Sequence, residues 1–466
     1  MRVSNQLRIS KTEPCYEPAL AYCKKNLVLP NPEYAKKARM HFWLGNTPKT
    51  LSLYQIDGDD LVLPYGCLKD VLKLSDGIEV FNEFPEKTKV DFGCTVPLYE
   101  YQEAAMEVML KEYFGILQSP AGSGKTQIGI ALAAKLGCKT LWVTHTADLL
   151  RQSKSRAEQY MNPALTGTIT EGKVQVGKAI TFATVQTMCN LDLSRYREVW
   201  DCIIVDECHR VAGTPTAVTQ FSKVLNTLAA RHKYGLSATV HRADGMIAAT
   251  YALLGGIAYQ VPDAAVKDKI MTVSVLPRAT HQGLSREFLD TDGTIIYAKL
   301  VNFLADRHER NSLIVDDLIL NRDHYNLILS DRLTHLETLM NRLPPDLRKQ
   351  AVMIDGKMTS KKAKALREQA IEEMRQGRKR YLFATYSLAK EGLDIPRLDR
   401  LYLTTPQKDY AVITQSIGRI ARTFEGKGEP IAYDYVDDGI QYLVRSYKKR
   451  CTTYRKAGCK FIDGEN

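Results

Sequence analysis

From about residue 96 onward, short apolar runs alternate with longer helix-patterned stretches. The runs FGILQS, KTLWVTH, AITFAT, CIIVDE and KYGLSAT come first, followed by HYNLILS, QAVMID, RYLFAT, RLYLTT and PIAYDYV. Continuous apolar runs of this length, bounded by turn-forming or polar residues, predict strands buried on both faces. Segments such as KTQIGIALAAKL, an amphipathic helix, and TADLLRQSKSRAEQYM lie between them. Strands separated by helices predict open parallel α/β sheets, and the string of strands is too long for one sheet. The polar stretch 263–290, DAAVKDKIMTVSVLPRATHQGLSREFLD, is read as the irregular border between two α/β domains. Residues 1–95 are richer in proline and hold short β-like pieces such as TLSLYQI, which predicts a separate small α+β module. The expected organisation is therefore 1–95, 96–265 and 266–466.

Length agrees with that division, because 466 residues suggest roughly three domains. With 44% apolar and 25% charged residues the chain can build sizeable cores and is not a disordered polymer. No apolar run is long enough to span a bilayer, and MRVSNQLRISKTEP lacks the apolar centre of a signal peptide. We expect no membrane association and a cytoplasmic protein of a bacterial or phage-infected cell. The ten cysteines are scattered and form no C-x-x-C pair, the pattern of reduced thiols and not of a disulfide framework or zinc ribbon. The repeated C-x7-C spacing, Cys15/Cys23 and Cys451/Cys459, matches no common zinc pattern. A formal net charge of +11 favours polyanionic partners. Basic residues cluster in GKMTSKKAKALREQAIEEMRQGRKR and in VRSYKKR, each a phosphate-facing surface or simply a solvated helix face.

The chemistry is most concentrated in GILQSPAGSGKTQIGIALAAKL. A strand enters a glycine-rich turn that ends in Gly124-Lys125-Thr126, and a helix follows. Such a turn lets the backbone N–H groups of Ala121, Gly122, Ser123 and Gly124 converge on phosphates, aided by the helix dipole. Lys125 would neutralise phosphate charge and Thr126 would ligate Mg2+. Ser119 stands where the strict pattern has glycine.

CIIVDECHRV, residues 202–211, admits three readings: a metal site, a nucleophile with its base, or the acidic end of a nucleotide-binding strand. Zinc needs more ligands than Cys208 and His209 supply, and adjacent residues at a strand end point their side chains apart. A phosphate-binding turn upstream calls for an acid that holds Mg2+ and a carboxylate that orients water. Asp206 and Glu207 supply them in that order, which leaves Cys208 as a small filler.

These motifs resemble the DExH-box helicases and translocases of superfamily 2, whose other motifs follow in order across residues 96–440. YEYQ is similar to the adenine-reading motif, with Tyr101 and Gln102 as base contacts, although Tyr99 takes a place usually held by arginine. WVTHTADLLRQ resembles motif Ia, with His145 where proline is common, and FATVQTM resembles motif Ic. LSATVHRADG resembles motif III followed by an R-E-D element with Ala243 at its centre. The resemblance assigns coupling between ATP state and strand groove to Ser237, Ala238, Thr239, Arg242 and Asp244. YNLILSDRLTHLETL, FATYSLAKEGLDIP and QSIGRIARTFEGKG resemble motifs IV, V and VI. Within the superfamily the match is to the XPB/Rad25-like group, which includes phage branch-migration helicases of UvsW type.

The resemblance implies two tandem RecA-like parallel-sheet domains behind a small N-terminal α+β accessory domain that could bind DNA. It implies ATP with Mg2+ as cofactors, Gly392 and Asp394 on the nucleotide, and His209 as a polar link from the ATP site toward motifs III and VI. Arg419 and Arg422 lie three apart, so both can face one cleft and stabilise charge gained by the phosphoryl oxygens, with Gln415 on the same helix. Hydroxyls and amides at strand ends can take nucleic-acid phosphates without reading bases, which nominates Thr144, Thr184, Gln186, Ser330, Thr385 and Thr405. The expected activity is an ATP-dependent DNA helicase or translocase that remodels branched DNA in recombination, replication or repair. The alternatives are an RNA helicase of the same fold, or a motor subunit of a restriction or defence assembly with a partner nuclease; the protein partners expected are a nuclease or a recombination or replication factor.

Overall fold

The computed structural model describes residues 1–462 except 87–88, 121, 241–244, 267–269, 355–360 and 391–392, and does not describe the side chains of 263, 361–362, 364 and 389–390. Four of the nominated residues, Ala121, Arg242, Asp244 and Gly392, lie outside the described residues. The chain divides into two compact units, residues 1–120 with 124–262, and residues 263–466 with 121–123.

The first unit holds an eight-stranded sheet. Its centre is Cys202–Asp206, paired in parallel with Thr140–Thr144 on one side and His232–Ser237 on the other. Phe114–Gln118 and Ile257–Gln260 extend it beyond His232–Ser237, and Ile180–Thr184 and Thr166–Thr170 extend it beyond Thr140–Thr144. A short antiparallel strand, Lys173–Gln175, closes that edge. Every residue of Cys202–Asp206 is buried, as a central strand covered on both faces requires. The helix Lys125–Leu136 starts and stops between two left-handed glycines, Gly124 and Gly137. It is not amphipathic as expected: Ile128 through Ala133 are all buried, because the helix packs between the sheet and its neighbour Glu100–Leu110. Gly129 permits its approach to the sheet, since a Cβ there would lie 2.7 Å from Trp142 and 2.8 Å from Leu236.

Residues 1–84 build their own five-stranded sheet. Gln6–Ser10 alternates, with Leu7 and Ile9 inward, beneath a helix, Tyr16–Asn26, that buries Tyr16, Ala19 and Cys23. This core does not stop at the module. Leu7, Leu61 and Tyr65 belong to one apolar cluster with Phe114, Met246, Ala249 and Ala252. Backbone meets backbone at Gly66, where a Cβ would lie 2.5 Å from Gly255 N. Lys233, fully buried, donates to Asn5 O at 3.0 Å and Leu225 O at 2.6 Å, and burial lowers its pKa to about 7.

The second unit holds a seven-stranded sheet, parallel throughout, in the order Ala351–Ile354, Tyr381–Thr385, Asn326–Ser330, Arg400–Leu403, Ile431–Val436, Ser274–Ala279, Lys460–Phe461. Ser274–Ala279 corrects the expectation of an irregular border at 263–290. Proline at 277 argues against a central strand, yet the N–H groups of Ser274 and Thr280 face Ile431–Val436, so Pro277 turns the other way. There Lys460–Phe461 pairs only with Ser274 and Val275. The missing donor therefore costs no ladder bond. Among the described residues, no helix is long and apolar enough to cross a membrane.

Candidate functional site

The strand Phe114–Gln118 delivers the phosphate-binding turn at its carboxyl end. Ser119 occupies the place of the usual glycine without conflict: it is fully buried, and its N–H donates to Ser237 O at 3.0 Å. Gly122 and Gly124 adopt left-handed φ of 84° and 80°, as a turn that aims backbone N–H groups inward demands. Lys125 opens the helix and folds back over the turn, its Nζ 3.3 Å from Ser119 O and 3.4 Å from Pro120 O. Ser123 is buried and Thr126 half-buried on the first turn.

Gln102 reaches the same turn from the helix Glu100–Leu110. Its Oε1 accepts from Tyr99 N–H at 2.9 Å, and a Cβ on Gly124 would lie 2.4 Å from its Nε2. Tyr101 stacks on Tyr99, with ring centroids 5.9 Å apart.

Asp206 ends the central strand, and one oxygen accepts from Ser153 Oγ at 3.0 Å while the other accepts from Glu207 N–H at 3.0 Å. Burial, then the charge of Glu207, raises its pKa to about 6, with Ser153 and Lys125 opposing. Two neighbouring carboxyls, one of them buried, with one cation near by, are a donor set that a divalent cation suits. Of the residues the sequence nominates for Mg2+, Asp206 is buried at the strand end and Thr126 is half-buried on the first helical turn. Among the described residues, no group of three or more His, Cys, Asp or Glu forms a metal cluster of its own.

Glu207 is one of few non-glycine residues with left-handed φ, at 50°. A side chain there costs about 1–3 kcal/mol of backbone strain. Its Oε2 lies 3.3 Å from His209 Nδ1, and that nitrogen lies 2.9 Å from Ser237 Oγ. Ser237 Oγ in turn donates to Thr239 O at 2.7 Å. Hydrogen bonds thus run from His209 through Ser237 to Thr239, past the half-buried Ala238, with the carboxyl of Glu207 beside the imidazole. Cys208 points into the core, where a Cβ on Gly235 would lie 2.7 Å from its Sγ, and burial holds its thiol well above the usual range. A nucleophile could not work there.

In the second unit the helix Tyr410–Ile420 begins at Asp409, which caps Val412 N–H at 3.0 Å. Its last turn carries Arg419, whose Nη1 donates to Leu393 O at 3.0 Å. Arg422, just past the helix end, forms an ion pair with Asp394. Both arginines therefore converge on the segment 393–394, which ties the motif VI helix to motif V. Gln415 is buried on this helix, and among the described residues its Oε1 has no hydrogen-bond partner.

The nucleic-acid candidates separate by exposure. Thr144, Ser330 and Thr405 are buried and their hydroxyls are turned inward. Thr144 donates to Thr146 O, Ser330 meets His335 Nδ1 at 3.1 Å, and Thr405 accepts from Asp331 N–H at 2.9 Å. These three hold turns and do not present a hydroxyl outward. Thr184, also buried, donates to Thr187 Oγ1 at 2.9 Å. Gln186, 3.3 Å from His145 Nδ1, and Thr385, 2.8 Å from Ser387 Oγ, are half-buried.

Two residues escaped the sequence reading. Ser153 lies in LLRQSKSRA and carries no motif signal, yet it holds Asp206. Lys427, in the tail FEGKG, donates to Pro396 O, Ile420 O and Arg422 O at 3.0, 2.7 and 2.7 Å. Burial lowers its pKa to about 8. It pins the turn that carries Arg422, and only its nearness to QSIGRIAR hinted at this.

The chain is similar to known helicases. Residues 95–242 match the family model "Type III restriction enzyme, res subunit", and residues 311–424 match "Helicase conserved C-terminal domain". A probable helicase of Escherichia phage T5, D10, is 26% identical over 74% of this chain and 73% of its own length. The DNA 3'-5' translocase XPB2 of Sulfurisphaera tokodaii is 24% identical over 70% of this chain and 79% of its own. The solved structure of S. cerevisiae Dbp5 bound to RNA and ADP BeF3 shares the fold, with a TM-score of 0.55 at 16% identity over 78% of this chain and 90% of that one.

Proposed function

Because the chain belongs to the superfamily 2 helicases, in the XPB/Rad25-like group, and so hydrolyses ATP, we propose that it is a DNA translocase that remodels branched DNA. The observation that carries the catalytic assignment is the pair Asp206 and Glu207 at the end of the strand beside the glycine-rich turn, with Asp206 held by Ser153 and His209 bonded to Ser237. Lys125 and the turn N–H groups bind the phosphates, and Gln102 holds the base side of the pocket against Gly124. Glu207 accepts the proton of the attacking water, and His209, beside its carboxyl, hydrogen-bonds to Ser237. Mg2+, when bound with ATP, neutralises charge on the β- and γ-phosphates. Arg419 and Arg422 supply positive charge to the phosphoryl oxygens in the transition state.

The preference for DNA draws support from the translocase of S. tokodaii and from the formal charge of +11. Binding of this kind is largely independent of sequence and sensitive to salt. Steady-state ATP turnover with single-stranded, duplex, forked and four-way DNA, and with RNA, tests the proposal. Branched DNA should stimulate most, and stronger stimulation by RNA would refute it. The family description that names a restriction subunit favours a second reading, a motor that works with a partner nuclease. Co-purification with a nuclease would support that reading.

A further inference from the structure

Residues 31–49 leave the N-terminal module and return to it without joining any core. The helix Pro32–Arg39 has no buried residue, and Met40, Phe42 and Trp43 are exposed, Trp43 to 89%. So short a helix, with no face to pack, is not stable by itself. Specific bonds hold it instead. The excursion hangs from a two-stranded ladder, Val28–Pro30 against Thr50–Ser52. Asn31, buried at its base, accepts from Glu33 N–H at 3.0 Å and Tyr34 N–H at 3.4 Å. The same side chain donates to Pro48 O at 2.8 Å, and Lys37 Nζ donates to Thr47 Oγ1 at 2.8 Å. The chain thus fastens a projection that covers nothing of its own.

The tip is shaped with equal care. His41 N–H donates to Ala38 O at 3.2 Å and Phe42 N–H to Lys37 O at 2.9 Å, the paired bonds of a Schellman turn. Glycine is favoured at the left-handed position of that turn, but here His41 holds it with φ of 53°, at a cost of about 1 kcal/mol. The turn throws Phe42 and Trp43 off the helix end. Gly45, itself left-handed, folds back beneath the indole, where a Cβ would lie 2.9 Å from Trp43 Cζ3. One side of the ring rests on glycine and the rest is open to solvent. Lys36, Arg39 and Lys49 are exposed near by in the chain, and the single acid of the excursion, Glu33, pairs with Lys37 at 3.1 Å.

We propose that this tip grips DNA at an unpaired base, as at a fork or branch point. Trp43 stacks on the base, and Lys36, Arg39 and Lys49 meet the adjoining phosphates. Every base offers a π-face, and stacking on an aromatic contributes about 1–3 kcal/mol per base. The excess of cations suits a polyanion. The inference rests on the DNA-translocase reading and deepens it by naming a second hold on the substrate, away from the ATPase chemistry.

Trp43 is directly reportable, because the other two tryptophans, Trp142 and Trp200, are fully buried. Titration of the full chain with an oligothymidylate should quench its emission, and Trp43→Phe should abolish that signal. Trp43→Ala should weaken binding to forked DNA about fivefold or more, with blunt-duplex binding and basal ATP turnover unchanged. Lys36→Ala with Arg39→Ala should lower the slope of log affinity against log salt by about 1.4 for single strands, from roughly 0.7 per phosphate contact. Unmoved emission when anisotropy shows the oligonucleotide bound, or wild-type fork binding by Trp43→Ala, would overturn the proposal. So would quenching by anionic phosphatidylserine vesicles and not by oligonucleotides. Failure of DNA to stimulate ATP turnover would instead sink the functional reading, while Trp43 emission judges the tip separately.

Discussion

The candidate sites at the ends of the two large sheets carry opposite charge. In the first unit the chemistry is acidic and internal. Asp206 is buried, held by Ser153, and pushed up to about 6 by burial and by Glu207. In the second unit it is basic and latched, with Arg422 paired to Asp394 and Arg419 bound to Leu393 O. The acids are positioned by groups that no phosphate would displace. The arginines are held by partners that a more negative ligand could replace. The first unit is therefore preorganised, whereas the second keeps its cations in place through contacts that can be exchanged.

That contrast can be tested from both sides. The largest effect should come from the second unit. Arg422→Ala or Arg419→Ala should lower kcat for ATP by about 10³–10⁵-fold if these are the transition-state cations, as measured in single-turnover assays. A loss below tenfold would make the latch merely structural. Next comes Glu207→Gln, which should lower turnover by about 10²–10⁴-fold while a fluorescent ATP analogue still binds. Retained turnover would refute the role of the acid.

A third prediction separates the units by pH. His335 is buried between Ser330 and Asn311, and burial lowers its pKa to about 3. It stays neutral in the fold but takes a proton below about 6.5 when unfolded. Its contribution to stability is therefore complete above that pH and declines as pH falls toward about 3, by at most about 1.4 kcal/mol per pH unit. Denaturant midpoints against pH should flatten in His335→Asn, and an unchanged acid limb would contradict the assignment. The smallest effect is expected for Ser153→Ala, which removes one donor from Asp206. The cost should be about 1–2 kcal/mol, read as a roughly five- to thirtyfold rise in the Mg2+ needed for half-maximal turnover.

Much of the core was legible in the chain. The strand Cys202–Asp206 announces itself as an unbroken apolar run, and the phosphate-binding turn is local, so its glycines sit where its backbone must bend. Ser274–Ala279 was hidden because Pro277 argues against a strand, and only the absence of a partner on that side makes proline acceptable. The inward-facing hydroxyls of Thr144, Ser330 and Thr405 could not be told from outward ones, since a strand end offers both directions at the same spacing.

The sequence by itself determined the order of motifs and the parallel α/β class, and it nominated the acidic and basic residues for the ATPase chemistry. Those features are written in contiguous runs, where the strand and helix periods and turn chemistry act over a few residues. Only the tertiary structure decided that Ser153 holds Asp206, that Lys427 pins the turn of Arg422, and that residues 1–84 share a core with the first sheet. The first and third join residues distant in the chain, and Lys427 reaches across to Pro396 O as well as back to Arg422 O, pairings that no local pattern encodes. The exposed Trp43 belongs to the same class. An aromatic residue in a sequence is most simply read as core, and only packing reveals that, among the described residues, Trp43 is left 89% exposed.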